Sequence, residues 1–414
     1  MGRARTTLAA VCAALLPLAA CGVAQGQEPR VRKGRVLAVP AADPKPYARA
    51  DAAFGLGLLA AWCRTDPHAN LVLSPSSLAA GLGMAALGAR VATATAMARA
   101  LRLPPGDPVP GLAARTRALR GLNRSGVALR VTDQVWADRR LPPSPGYLDR
   151  VATAYDAALK TLDVQGDPDG ARAAINDAVA KATSGRIKDL LGPGTVARDT
   201  GWVLTDAVYL KADWADRFKA SETSGEPFTT AAGGTAQVRM MSAHRDLAAA
   251  RTAGWTAVDL PYRGGRLSMT ALLPDDRSGG CPALDAARLD RVTAALAPRR
   301  VDLGLPKTDL KDRIDAVPLL RAAGMGEAFG PRADFTGLSP RAEGITFVRH
   351  AATMRVDEKG TEAAAATGAG IGATAAAPVP ALRVTFDRPY VLLVRDQATG
   401  EPLFLARVAD PSRS

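Results

Sequence analysis

Bulky apolar residues recur at helical spacing across residues 52–64, where Phe54, Leu58, Leu59 and Trp62 share a face, so the first core helix is predicted there. Ser74-Pro75 offers an N-cap and a first-turn proline, and Leu78, Leu82 and Ala85 carry a second buried helix on to Gly88. Apolar runs at 71–73, 202–210, 256–260 and 267–273 predict strands. Near the end, 390–394 and 403–408 are two strands joined by Asp396-Gln397-Ala398-Thr399-Gly400, a hairpin signature that places the C-terminus in the core. Strands and helices interleave without regular alternation and no repeat is present. The pattern therefore predicts an α+β fold in a single domain over residues 47–411.

The N-terminus follows a different pattern. Arg3 and Arg5 precede an apolar run that is too short to span a bilayer permanently but suits a signal peptide over residues 1–20. Leu18-Ala19-Ala20-Cys21-Gly22 resembles the lipobox of bacterial lipoproteins, with Cys21 as the acylated residue. Cleavage after Gly22-Val23-Ala24 is the alternative and would give a freely secreted product. The chain is thus expected to be exported, anchored at the extracellular side through lipid alone or else secreted. Residues 21–46, with Pro29, Pro40, Pro44 and Pro46, read as an extended tether holding the body off the surface.

Composition narrows the chemistry. The chain has 47% apolar and 22% charged residues, which excludes a disordered or fibrous protein. Its net charge of +13 lets anionic surfaces attract it in a salt-dependent way, without implying a nucleic-acid partner. Once Cys12 and Cys21 are set aside, Cys63 and Cys281 are too far apart in sequence for a pairing to be declared. The cysteine spacing fits no metal site. No Gly-Lys dipeptide, Gly-x-Ser-x-Gly, Ser-x-x-Lys or His-Glu-x-x-His occurs, so no enzyme is expected. Gly368-Ala369-Gly370-Ile371-Gly372-Ala373 satisfies a dinucleotide-binding spacing, but it follows an alanine run and leads into prolines, so no cofactor is implied.

That same segment is the most informative in the chain. From Gly360 to Phe386 only Glu362 and Arg383 are charged. With a period of two, one face carries Thr361, Ala363, Ala365, Thr367, Ala369 and Ile371, and the other carries Glu362, Ala364, Ala366, Gly368, Gly370 and Gly372. The first face is small or β-branched and suits burial in a sheet, while the lone carboxylate falls opposite, where it can stay hydrated. The segment reads as a loop able to become a strand.

Val356-Asp357-Glu358-Lys359-Gly360-Thr361-Glu362-Ala363-Ala364-Ala365-Ala366-Thr367 resembles the hinge of inhibitory serpins. Further matches to the family are Asn70-Leu-Val-Leu-Ser-Pro-Ser-Ser77, Ile175-Asn176, Thr183-Ser-Gly-Arg-Ile-Lys-Asp-Leu190 and Tyr209-Leu-Lys-Ala-Asp-Trp214. Val238-Arg-Met-Met241, Leu260-Pro-Tyr262, Leu272-Leu-Pro-Asp-Asp276, Ala333-Asp-Phe-Thr-Gly-Leu-Ser339 and Phe386-Asp-Arg-Pro-Tyr390 extend the likeness along the chain. The resemblance implies three β-sheets, about nine helices and an exposed reactive-centre loop over about 358–382. It also implies suicide inhibition: a serine protease attacks the loop, and the freed segment from Gly360 inserts into the main β-sheet before the acyl-enzyme hydrolyses. Counting along the family pattern puts the reactive bond at Thr374-Ala375, give or take about two residues. The small neighbours Ala373, Ala376 and Ala377 suit elastase-like or subtilisin-like targets. A non-inhibitory serpin acting as a binding or cell-surface structural protein is the alternative. A monomer is expected, with the target protease as its covalent partner.

The resemblance assigns three further roles. Lys307 and Glu358 match an ion pair where insertion begins. Ser74, Ser77 and His350 match a polar cluster under the centre of the main sheet, and Asp206 stands there where the family usually carries Asn. A carboxylate beside His350 would make sheet opening sensitive to pH. Tyr390, where Phe is customary, adds a hydroxyl needing a partner. Arg115, Arg117, Arg120 and Arg124 form a loose basic helical face where some serpins bind sulfated polysaccharides, a weak signal in so arginine-rich a chain.

Overall fold

The computed structural model describes residues 27–123, 127–361 and 381–413. The expected signal peptide, Cys21, Arg124, the hinge residues Glu362, Ala363, Ala364, Ala365, Ala366 and Thr367, and the bond Thr374-Ala375 lie outside them.

Eight α-helices form among the described residues: α1 (Lys45–Thr65), α2 (Pro75–Ala86), α3 (Val91–Ala100), α4 (Val109–Arg120), α5 (Pro145–Tyr155), α6 (Pro168–Ala182), α7 (Ala286–Ala294) and α8 (Val317–Leu320). The first eight strands are β1 (Arg30–Arg32), β2 (Leu71–Leu73), β3 (Val127–Asp138), β4 (Leu159–Leu162), β5 (Trp202–Asp213), β6 (Thr223–Thr229), β7 (Thr235–Thr252) and β8 (Trp255–Pro261). The rest are β9 (Leu267–Pro274), β10 (Ala297–Pro306), β11 (Thr308–Asp315), β12 (Val348–Asp357), β13 (Gly360–Thr361), β14 (Leu382–Thr385), β15 (Tyr390–Asp396) and β16 (Pro402–Val408).

Local chemistry explains the elements that frame the site. Ser74 caps α2 by accepting from the Ser77 amide at 3.3 Å, with Pro75 in the first turn as expected. The first helix starts at Lys45, earlier than its bulky residues suggest, because Pro46 fits a helical first turn and small alanines complete the buried face. The C-terminal hairpin forms as predicted, its turn held by Asp396, which accepts from the amides of Ala398 and Thr399.

A seven-stranded sheet has the order β1-β4-β3-β5-β13-β12-β11, and a nine-stranded one runs β14-β10-β7-β8-β9-β15-β16-β2 with β6 attached to β7. The larger is continuous because the 18-residue β7 pairs with β6 and β10 along its length and with β8 at its end. Two of the three expected sheets thus merge through one strand. Behind the seven-stranded sheet lie two apolar cores, one with α1, α2, α3 and α5 and one shared with the larger sheet. A third, around Trp136, Ile175, Val203 and Ala351, seats α6 on the opposite face.

Two expectations are corrected. Residues 27–44 do not hold the body away: β1 pairs with β4 at the sheet edge, Gln27 bonds the backbone of Asp163 and Asp167, and the amides of Arg35 and Leu37 donate to Asp149 and Thr153. A proline-rich chain with free amides between its prolines pairs readily with an open strand edge. Nor do Arg115, Arg117 and Arg120, the described members of the expected set, make a basic face. Arg115 is buried, 2.5 Å from Asp51 and 2.8 Å from Glu401, because it lies on the core side of α4, and Arg120 is paired with Asp156.

Candidate functional site: a seam in the seven-stranded sheet

Strands β5 and β12 pair in parallel only from Leu204 to Val208 and from Val348 to Ala352. Above that they part, and β13 fills the top of the opening: Thr361 lies between Val356 and Ala212, and Gly360 between Asp357 and Asp213. β13 runs antiparallel to both neighbours. Between these two levels no rung joins β5 to β12 among the described residues.

The wedge is held by specific contacts. Lys307 Nζ donates to both carboxylate oxygens of Glu358, at 3.1 and 2.8 Å, and the Thr223 hydroxyl donates to the same group at 3.0 Å. Burial pushes the Glu358 carboxyl up, but the bonds from Lys307, the backbone and Thr223 outweigh it and leave its pKa lowered. The Trp214 indole donates to the Asp357 carbonyl at 2.9 Å, while the amides of Trp214 and Phe218 take the carbonyls of Lys359 and Glu358. Tyr262 stacks on Trp214 with ring centroids 4.5 Å apart, and its hydroxyl meets Thr361 Oγ1 at 2.6 Å. Thr361 is only 1% exposed. Gly360 has φ +150°, and a Cβ there would stand 2.1 Å from the Ala212 carbonyl oxygen, so glycine alone fits.

Lower down, the first turn of α2 spans the seam. The Ser74 amide donates to His350 Nε2 on β12 at 3.1 Å, and His350 Nδ1 lies 3.0 Å from Asp206 Oδ1 on β5. Ser77 Oγ reaches Asp206 at 2.7 Å and also contacts Asp133. The structure therefore brings together Lys307 with Glu358, and Ser74, Ser77, Asp206 and His350, as the sequence led us to expect. It adds Asp133, Trp214, Thr223 and Tyr262. Asp133 was missed although it is the residue of β3 directly opposite Asp206; the cross-strand register that would reveal it is not written in one strand. Tyr390 departs from expectation: its ring packs edge-on against Phe228 and Phe386, and its buried hydroxyl has no partner among the described residues.

Comparison with known proteins agrees with this arrangement. The family model described as "Serpin (serine protease inhibitor)" matches residues 49–411. The leukocyte elastase inhibitor of Sus scrofa is 31% identical over 377 residues, covering 87% of this chain and 98% of that protein. An uncharacterized serpin-like protein of Thermococcus kodakarensis is 33% identical over 353 residues, covering 83% of this chain and 81% of its own. Among solved structures, the native state of tengpin, a thermophilic serpin, superposes with a TM-score of 0.80 at 25% identity, covering 91% of this chain and 97% of tengpin.

Proposed function

The chain belongs to the serpin family of protease inhibitors, and from that premise we propose that it traps serine proteases by inserting its cleaved loop between β5 and β12. In this reading the protease serine attacks the Thr374 carbonyl, forms an acyl ester and releases the amine of Ala375. Residues 362 onward then extend β13 down the seam, carrying the protease with them before water reaches the ester.

One observation carries the reading: the register already set by β13. Continued residue by residue on insertion, that register would bring Ala363 between Leu210 and Met354, Ala365 between Val208 and Ala352, and Thr367 between Asp206 and His350. The flanking Leu210, Met354, Val208 and Ala352 are buried, so the small side chains of this face suit the space. The two threonines fall against the two polar groups of the same face, Thr361 at Tyr262 and Thr367 at the Asp206–His350 pair. Glu362 lands on the opposite face between Lys211 and Arg355, where a carboxylate is favoured. Ala364, Ala366 and the glycines fall on the face that α6 covers, where bulk would obstruct passage.

A small residue at the reactive bond suits the shallow pockets of elastase-like and subtilisin-like enzymes. The relative named for inhibiting leukocyte elastase supports that choice. Export and a lipid anchor at Cys21 belong to the same proposal. The Cys63–Cys281 disulfide, with Cα atoms 5.7 Å apart, supports an oxidising compartment. The test mixes protein lacking residues 1–21 with an elastase and with trypsin, then resolves the products by denaturing gel and mass spectrometry. The expected result is a denaturant-resistant complex with the elastase and cleavage within 373–377. Clean cleavage without a complex would refute trapping and point to a non-inhibitory serpin.

A further inference from the structure

The cluster under the seam contains more acceptors than its hydrogens can serve. Ser77 Oγ carries one hydrogen yet contacts two carboxyl groups, those of Asp133 and Asp206. At one of these contacts the hydrogen must come from the carboxyl itself. His350 decides which. Its Nε2 accepts from the Ser74 amide, so the hydrogen bond network assigns its hydrogen to Nδ1, which donates to Asp206 Oδ1. Asp206 is then an acceptor for both His350 and Ser77, and Asp133 is left to donate to Ser77. A directed chain results: Asp133 carboxyl to Ser77, Ser77 to Oδ1 of the Asp206 carboxylate, and His350 to that same oxygen.

Two ionised carboxylates are also disfavoured by position, because Asp133 and Asp206 face one another across the antiparallel β3–β5 ladder. Burial, and then the Asp206 charge, push the Asp133 pKa well above the ordinary carboxylate range, against the opposing pull of Ser77 and Arg115. Asp133 borders a cavity of about 490 Å³ between α2, α4 and β3, which gives its proton a route to solvent. Among the described residues, few other groups face the cluster. Arg115 on α4 is held by Asp51 and Glu401, and Tyr155 ends α5. Asp312 on β11 accepts from the Val72 amide, faces His350, and is pushed up to about 6 by burial.

We propose that Asp133 is a protonated positioning residue, whose single hydrogen, passed through Ser77, clamps β5 to α2 and β12 and makes parting of the seam proton-linked. The inference rests on β5 and β12 being the strands that separate. Separation takes β12 and His350 away from Asp206, while Ser77 stays with β3 and β5, against which α2 packs; water then enters the cluster, relieves the burial that raises the Asp133 carboxyl, and lets it release its proton. The closed seam then binds one proton more than the parted one. Its advantage is full in acid and falls as pH rises toward the raised Asp133 value, by at most about tenfold in the opening equilibrium per pH unit. Asp312 has the same sign and must be separated from it.

The test is hydrogen exchange of the β12 amides over residues 349–352 in the intact, uncleaved protein from pH 5 to 8.5, corrected for intrinsic rates. Wild type is expected to open more with rising pH, Asp312→Asn to keep most of that slope, and Asp133→Asn to flatten it. An asparagine amide donates to Ser77 without a titrating proton, so that variant should remain as protected at pH 8 as wild type is in acid. Equal slopes in wild type and Asp133→Asn would overturn the proposal. Carboxyl carbon NMR of the wild-type protein is the second measurement: Asp133 protonated at pH 7 is expected, and Asp133 ionised there overturns it, whether or not the variant folds. Neither experiment uses a protease. A failed elastase complex with an intact exchange slope would remove the inhibitory reading and leave the clamp, and the reverse pair of results would remove the clamp alone.

Discussion

Replacing Ala363 with arginine probes the register most sharply. In the inserted strand, position 363 falls between Leu210 and Met354, which are 2% and 1% exposed. A guanidinium in that place leaves water without gaining a partner, an effective penalty of several kcal/mol. Taking about 4 kcal/mol, and 1.4 kcal/mol per tenfold in rate, insertion past this residue slows by about three orders of magnitude. Hydrolysis of the acyl-enzyme then wins. The assay titrates a fixed amount of elastase with wild type, Ala363→Arg and Glu362→Arg, and reads both the moles of inhibitor consumed per enzyme and the complex on a denaturing gel. Ala363→Arg should be cleaved as a substrate with almost no complex. Glu362→Arg puts a cation between Lys211 and Arg355 on the wetter face and should raise consumption only modestly. If Ala363→Arg traps as wild type does, insertion in this register is wrong. If the two variants exchange behaviours, the strand enters one residue out of step and every side chain changes face.

Three further outcomes follow from the contacts described. Lys307→Ala removes a half-exposed partner of Glu358 and should lower stability by about 1 kcal/mol or less, a shift in Tm of about 2 °C at most by calorimetry. Because the Glu358 carboxyl is lowered, that contribution is present above the ordinary carboxylate range and lost as pH falls through the lowered value, so wild type and variant should converge in acid. Arg115→Ala strands the buried carboxyls of Asp51 and Glu401 and should cost about 3–5 kcal/mol in a denaturant titration, a loss far larger than any surface arginine of α4 would give. Reducing Cys63–Cys281, which closes a sequence separation of 218 residues, should destabilise the body by up to about 5 kcal/mol, read as a lower urea midpoint in the presence of reductant.

The strands with continuous apolar runs and the capped helix α2 were legible in the sequence because local signals alone specify them. The helix at Lys45 and the edge strand β1 were less so, since alanine and proline contexts do not announce whether a neighbour waits to pair with them. The two-residue alternation and the family pattern single out the hinge, of which only Gly360 and Thr361 lie among the described residues, and the Lys307–Glu358 pair was legible from that pattern alone. What stayed hidden depends on strand register. Asp133 matters because β3 sets it opposite Asp206 and α2 sets Ser77 beneath both. Arg115 seemed part of a basic face because helical spacing groups residues without saying which side the core occupies.

The central claim is that the cleaved loop becomes a strand between β5 and β12. Its most direct test nicks the loop within residues 373–377 and compares intact and cleaved protein by calorimetry and by hydrogen exchange of peptides covering 208–213 and 352–357. The account predicts a large rise in melting temperature, with new protection on both flanks of the seam. A cleaved protein that melts where the intact one does, with exchange on both strands unchanged, would contradict it.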